Sequence, residues 1–167
     1  MDSLELDPIY RRFHRTAFLQ ALKILRDDEL EPARQMAWDV YNAGADVLIV
    51  QDPTLLHQVG VFQGLKPDGF VLINSKKTFH ELGLADIEAK YRHERLTTVP
   101  ATEIALKHLG RPLPNAVLLG GFAALSGLIA LDAVAHAIRD KFTGKLAEGN
   151  IAAAAEAFAY IQRELEE

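Results

Sequence analysis

The chain has 167 residues, 49% of them hydrophobic, which suits one soluble domain with a single core. It contains no cysteine, which excludes disulfides, a thiolate nucleophile and sole ligation of a four-thiolate iron–sulfur cluster. A net charge of −5 argues against nucleic acid as the main partner, and no apolar run approaches the ~20 residues that cross a bilayer. The charged start lacks the apolar core of a signal peptide, so the expectation is a soluble, cytoplasmic protein with no membrane span.

Residues 1–44 form a compositional unit of their own. Asp7-Pro8 suits an N-cap followed by proline at the first helical position. From there Ile9, Phe13, Ala17, Phe18, Ala21, Leu22 and Leu25 recur at helical spacing, with Arg11, Arg12, Arg15 and Lys23 mainly opposite. Asp27-Asp28-Glu29 interrupts the pattern, and Pro32 starts a second helix through Trp38 and Tyr41 that Gly44 stops. Two amphipathic helices packed on a sheet or on a partner are expected. A basic membrane-surface helix is the alternative, and the acidic residues that follow weigh against it.

Residues 45–167 read as an α/β domain. Three short apolar runs, Asp46-Val-Leu-Ile-Val50, Gly69-Phe-Val-Leu-Ile73 and Leu96-Thr-Thr-Val-Pro100, are each followed by a helical pattern. That predicts a doubly wound, mostly parallel sheet with helices on both faces, and C-terminal helices beyond it. Pro53 opens the helix after the first strand, with Leu55, Leu56, Val59 and Phe62 on its buried side, and Gly64 with Pro67-Asp68-Gly69 turns the chain back. Thr78 to His93 reads as two helical pieces broken near Gly83, and Thr102 as the N-cap of a helix ending at Gly110. Asn115 to Leu128, rich in glycine and alanine, predicts a buried helix whose small residues allow close backbone approach. Two last helices span about Asp132 to Phe142 and Asn150 to Glu164.

Few residues invite chemistry. The histidines His14, His57, His80, His93, His108 and His136 have no metal-ligand spacing, so no metal is expected on this chain. Ser75 and Ser126 lack a nucleophile elbow, and no catalytic residue is assigned. Asp52, between a strand and Pro53, reads as a helix cap rather than a general base. No glycine-rich phosphate loop occurs anywhere, which disfavours a freestanding nucleotide enzyme. Asn74 ends a buried strand and offers donor and acceptor at the sheet's carboxyl edge, where ligands collect. Asn115 follows Pro114 and opens a helix, where free N–H groups favour an anion. Taken alone, each is more often a turn residue or a cap, and removal of the Asn74 amide is expected to leave folding largely intact. Lys76 and Lys77 are the nearest positive charges to Asn74 and read as solvated lysines.

Five strings occur in an order that resembles one family. They are Ala45-Asp-Val-Leu-Ile-Val-Gln-Asp-Pro-Thr-Leu-Leu56, Gly64-Leu-Lys-Pro-Asp-Gly-Phe-Val-Leu-Ile-Asn-Ser-Lys-Lys77, Pro100-Ala-Thr-Glu-Ile-Ala105, Gly110-Arg-Pro-Leu-Pro-Asn-Ala-Val-Leu-Leu-Gly120 and Phe142-Thr-Gly-Lys-Leu-Ala-Glu-Gly-Asn150. Residues 41–160 thereby resemble the gamma subunit of 2-oxoacid:acceptor oxidoreductases, the pyruvate:ferredoxin oxidoreductase family. Where that family opens with a strand and a Gly-Arg-Gly-Gly-Gln-Gly turn, residues 1–40 contain no glycine.

The resemblance implies an accessory, non-catalytic subunit of an enzyme that decarboxylates a 2-oxoacid on thiamine diphosphate. Electrons pass through 4Fe-4S iron–sulfur clusters, and coenzyme A accepts the acyl group. It implies alpha, beta and delta-type subunits as partners, which carry the thiamine cofactor and the clusters, and ferredoxin or an NAD-reducing subunit as electron acceptor. It implies coenzyme A contacts at Asn74 and Asn115, whereas the glycine turn that cradles the coenzyme's phosphates has no match. The alternative is a structural homologue that kept the subunit interface without ligand binding.

Overall fold

The computed structural model describes residues 44–57 and 60–166. The expected N-terminal helical segment therefore lies outside the described residues, Gly44 excepted. Three parallel strands form one sheet in chain order, β1 (Ala45–Val50), β2 (Leu65–Asn74) and β3 (Leu96–Val99). The expected α/β architecture, a parallel sheet flanked by helices with further helices at the C-terminus, is what forms.

The middle strand starts earlier than its apolar run. Ala45 pairs with Leu65 but Val47 pairs with Phe70, so β2 carries three more residues than β1 between these two pairs. Pro67-Asp68-Gly69, expected as a turn before the strand, sits in this irregularity inside it. A proline cannot donate to the ladder, so it is accommodated where pairing lapses. Arg95 stacks on the Phe70 ring, 4.5 Å from its centroid, and donates to the Asp68 carbonyl, tying the excursion to the start of β3.

Alternation along β2 sends its residues into two cores. Leu72 enters one with Val99, Ile104, Val117, Leu118 and Ile161, beneath α2 (Ala101–Leu109), α3 (Asn115–Ser126) and α5 (Gly144–Glu166). Val71 and Ile73 enter the other with Val50, Leu56, Phe79, Leu84, Tyr91 and Leu96. The covering on that second face is short: a 3₁₀ turn at Pro53–His57, a turn around Thr78–Gly83, and α1 (Ala85–Lys90). A full helix after Pro53 was expected. Only Leu56 of the 3₁₀ turn is buried while Leu55 stays exposed, and Val59 lies outside the described residues. The break at Gly83 is real, because its φ of +71° is one that side-chain-bearing residues rarely adopt. Thr78 and Glu81 cap that turn reciprocally. The Thr78 N–H donates to Glu81 Oε2 at 2.8 Å and the Glu81 N–H to Thr78 Oγ1 at 3.2 Å.

Helix α4 (Leu131–Lys141) closes a third cluster of Ala123, Val134, Ile138, Ala147 and Ala154 against α3 and α5. The buried helix expected from Asn115 is α3, with Gly120, Gly121, Ala123 and Leu125 all buried. The last helix begins at Gly144, six residues before the expected Asn150, because Gly149 is not a breaker here. A Cβ at Gly149 would come within 3.1 Å of the His108 carbonyl, so the glycine lets α5 pass the end of α2. Among the described residues, no helix is long and apolar enough to cross a membrane.

One polar clamp joins α2 to α5. Glu156 Oε2 accepts from Lys107 Nζ at 2.7 Å and lies 2.6 Å from His108 Nε2. These hydrogen bonds from Lys107 and His108, with the lysine charge beside them, hold the Glu156 carboxyl below the usual carboxylate range. A depressed folded-state value contributes stability above the unfolded pKa and loses it as pH falls. Glu156→Gln should therefore destabilise the chain by up to about 1 kcal/mol at neutral pH, where the clamp is partly exposed to solvent. The gap between variant and parent in urea unfolding should begin to close as pH falls below the ordinary glutamate value of about 4.3. It should go on closing through the lower folded-state value. A gap that persists at low pH would show that the carboxylate charge is not what stabilises the clamp.

Candidate functional site

The carboxyl ends of the three strands converge on one side chain. Asn74 is the last residue of β2 and only 7% exposed. Its Nδ2 donates to the Gln51 carbonyl just past β1 at 2.9 Å and to Thr102 Oγ1 at 2.8 Å. Its Oδ1 accepts the Thr102 N–H at 3.0 Å. An asparagine amide has two donor hydrogens, and both are used inside the chain.

The reason lies in the link from β3 to α2. The N-cap of α2 is Pro100, which has no side-chain acceptor, and no side chain of the helix's own segment caps it. Thr102 was expected to be the N-cap but is the second helical residue, and its N–H needs an acceptor from elsewhere. Asn74 supplies it from the neighbouring strand, a cap provided in trans. Folding was expected largely to survive loss of the Asn74 amide, yet that loss leaves the Gln51 carbonyl and both Thr102 groups without these partners.

Around this knot the charged groups are mostly committed. Asp52 Oδ1 accepts the Thr54 N–H at 3.0 Å and the Thr54 hydroxyl at 2.7 Å, capping the 3₁₀ turn that Pro53 begins. Those bonds lower its pKa, which suits a cap and not a base that must take up a proton at neutral pH. Ser75 continues the ladder by donating its N–H to the Val99 carbonyl at 2.9 Å, and its hydroxyl accepts the Lys77 N–H at 2.9 Å. Lys76 is ion-paired with Glu103 on α2 at 2.5 Å, so one of the two expected solvated lysines has a partner.

Asn115 is placed differently. It is exposed as the first residue of α3, whose N-cap is Pro114, and no side-chain bond caps the helix. The first backbone bond of α3 runs from the Leu118 N–H to the Pro114 carbonyl at 2.8 Å, leaving the three N–H groups before it outside the helix's own ladder. No hydrogen bond joins Asn115 to Asn74 or its partners. A shallow depression of about 590 Å³ between the end of α4 and the start of α5 includes Arg139, Phe142, Thr143 and Glu148, and contains neither asparagine. Among the described residues no three metal-ligating side chains come together.

Sequence reasoning passed over Gln51 and mistook the role of Thr102. Their partner is 23 and 28 residues away, and only the parallel pairing of the strands brings them together.

Comparison with known proteins bears on this arrangement. A family model described as "Pyruvate ferredoxin/flavodoxin oxidoreductase" matches residues 31–160. Over 113 residues the chain is 44% identical to "Pyruvate/ketoisovalerate oxidoreductases common subunit gamma" of Pyrococcus abyssi, covering 68% of this chain and 60% of that protein. Over 124 residues it is 40% identical to "Pyruvate synthase subunit PorC" of Methanothermobacter marburgensis, covering 74% of this chain and 63% of the relative. The chain thus spans about three-fifths of the length of these curated relatives. Among solved structures it is similar to pyruvate oxidoreductase subunit PORC of Thermotoga maritima, at 28% identity and a TM-score of 0.59, covering 70% of this chain and 64% of that one.

Proposed function

Because this chain belongs to the pyruvate ferredoxin/flavodoxin oxidoreductase family, we propose that it is a gamma-type accessory subunit of a multi-subunit 2-oxoacid:acceptor oxidoreductase. The assembly converts a 2-oxoacid to an acyl-CoA in the cytoplasm and passes electrons to ferredoxin or to an NAD-reducing subunit. The observation that carries the reading is the 44% identity to a common gamma subunit across 113 residues. Thiamine diphosphate and the iron–sulfur clusters supply the redox chemistry from alpha, beta and delta-type subunits, in keeping with a chain that has no cysteine.

The contribution of this chain is to cover the active site and position coenzyme A, through exclusion of water and orientation of the acceptor thiol. Among the described residues no side-chain bond occupies the Asn115 amide, which leaves it for a ligand. Asn74 keeps only acceptor capacity on Oδ1, because both of its N–H bonds are internal. That spent amide favours a second reading, a structural homologue that holds the subunit interface and binds no coenzyme.

Purification of the native assembly tests the proposal. This chain should copurify with a thiamine-binding chain and a cysteine-rich cluster-bearing chain. Alone it should oxidise no 2-oxoacid with viologen as acceptor, and turnover by the isolated chain would sink the reading. Coenzyme A should bind the complete assembly more tightly than the assembly lacking this chain. Equal binding would leave the structural homologue as the better account.

A further inference from the structure

The hydrogen bonds at the sheet's carboxyl edge separate two ways in which an asparagine can matter to a ligand: touching it, or holding in place what touches it. Asn74 is buried, both of its donor hydrogens are used, and one oxygen lone pair is used as well. Its three bonds reach the backbone leaving β1 and two groups of one residue at the start of α2. Among the described residues, polar side-chain ties from this helix start to the sheet edge are the Asn74–Thr102 bonds and the exposed Lys76–Glu103 ion pair, and Pro100 adds no side-chain cap. Asp52 follows Gln51 directly and bonds Thr54, and Glu103 follows Thr102 directly and pairs with Lys76, two residues past Asn74. A shift at the knot therefore moves the Gln51–Thr54 segment and the first turn of α2 relative to each other.

We infer that Asn74 and Thr102 are a positioning pair, which sets the relative placement of the Gln51–Thr54 segment and the start of α2 where coenzyme A is presented, and that Asn74 does not donate to the coenzyme itself. This rests on the coenzyme A reading proposed above. Thr102 enters through its hydroxyl oxygen as acceptor for Asn74 and through its N–H as donor. The two residues act as one unit, and removing either side of the Nδ2–Oγ1 bond has the same kind of effect.

The test uses the assembled oxidoreductase with Asn74→Ala, Thr102→Val, the double variant, Thr102→Ser and Asn115→Ala, each checked by melting to be folded at the assay temperature. Asn74→Ala should raise KM for coenzyme A roughly 2- to 10-fold, the reach of a lost hydrogen bond. KM for the 2-oxoacid and kcat at saturating coenzyme A should stay near the parent values. Thr102→Val should raise the same KM by less, since its N–H bond to Asn74 survives, and Thr102→Ser should restore it. The double variant should match Asn74→Ala alone, because no pair bond is left for valine to remove.

A raised KM in Asn74→Ala with parental behaviour in Thr102→Val means a direct contact and overturns the inference. So does an additive double variant. Lower melting temperatures with unchanged KM mean a role in folding only, and also overturn it. If Asn115→Ala raises KM for coenzyme A while the pair does not, the proposed function stands and this inference falls. If no variant moves that KM, the coenzyme A reading itself falls. Should Asn74→Ala fail to assemble, the contrast between Thr102→Val and Thr102→Ser decides alone: a difference supports the pair, and equality overturns it.

Discussion

Gly120→Ala is expected to destabilise the chain by about 3 kcal/mol, at the upper end of what overpacking a core does. A single added methyl is usually tolerated on a helix and even favours it. Here Gly120 is the point at which α3 meets α5 backbone to backbone. A Cβ built there would stand 2.7 Å from both Cα and the carbonyl carbon of Ala154 and closer still to its oxygen. Neither helix can yield by a rotamer change, so α3 and α5 must separate. That separation would loosen Ala123, Ala154 and Ala147 in one cluster and Leu118, Val117 and Ile161 in the next. The melting temperature should fall by roughly 6–12 °C for a chain of this size. Gly121→Ala is the control one residue along. Its added methyl would meet Ile161 Cδ1 at 3.0 Å and Leu72 Cδ2 at 3.4 Å, both ends of side chains that can turn aside. Equal losses from the two substitutions would show that loss of close helix approach is not the cause.

That contact was half legible in the sequence. The run of glycine and alanine after Asn115 implied a helix packed closely on something, and α3 is that helix. Which glycine touched what depended on α5, more than thirty residues on, and on Gly149 passing the end of α2 instead of breaking the last helix. The strands show the same division. Apolar runs and their following helices marked β1, β2 and β3 because a parallel sheet needs apolar residues on both faces. Pro67-Asp68-Gly69 is locally a turn, and only pairing with β1 keeps the chain extended on either side of it. At the candidate site Asp52 was readable as a cap since its partner is Thr54, two residues away. Asn74 was singled out for its place at a strand end. Its work as the cap of α2 was hidden, because the helix it caps starts after another strand. Asn115 was placed correctly at a helix start, but the bonds of that helix give it no capping role.

Leu72→Ala should destabilise the chain by 2–5 kcal/mol, the range for a buried leucine truncated to a methyl, on the order of the largest single losses expected here. Leu72 is fully buried toward the C-terminal end of the central strand, in one core cluster with Val99 and Ile161 and near Gly121. A cavity there is walled by β2, β3 and three helices, and walls held on so many sides collapse little. Its register partner on β1 supplies the comparison. Ile49 pairs with Leu72, so their side chains leave the sheet on the same face. Yet Ile49 is 41% exposed, and among the described residues the core around Leu72 draws on β3 and the helices α2, α3 and α5 with none from β1. Ile49→Ala should therefore lower stability by about 1 kcal/mol or less, as most substitutions outside a packed core do. Both variants should keep the parent's denaturant m-value, so that the difference appears in the unfolding midpoint. If Ile49→Ala proves as damaging as Leu72→Ala in the purified chain, then the helical layer reaches across β1 and the sheet is covered on this face from edge to edge.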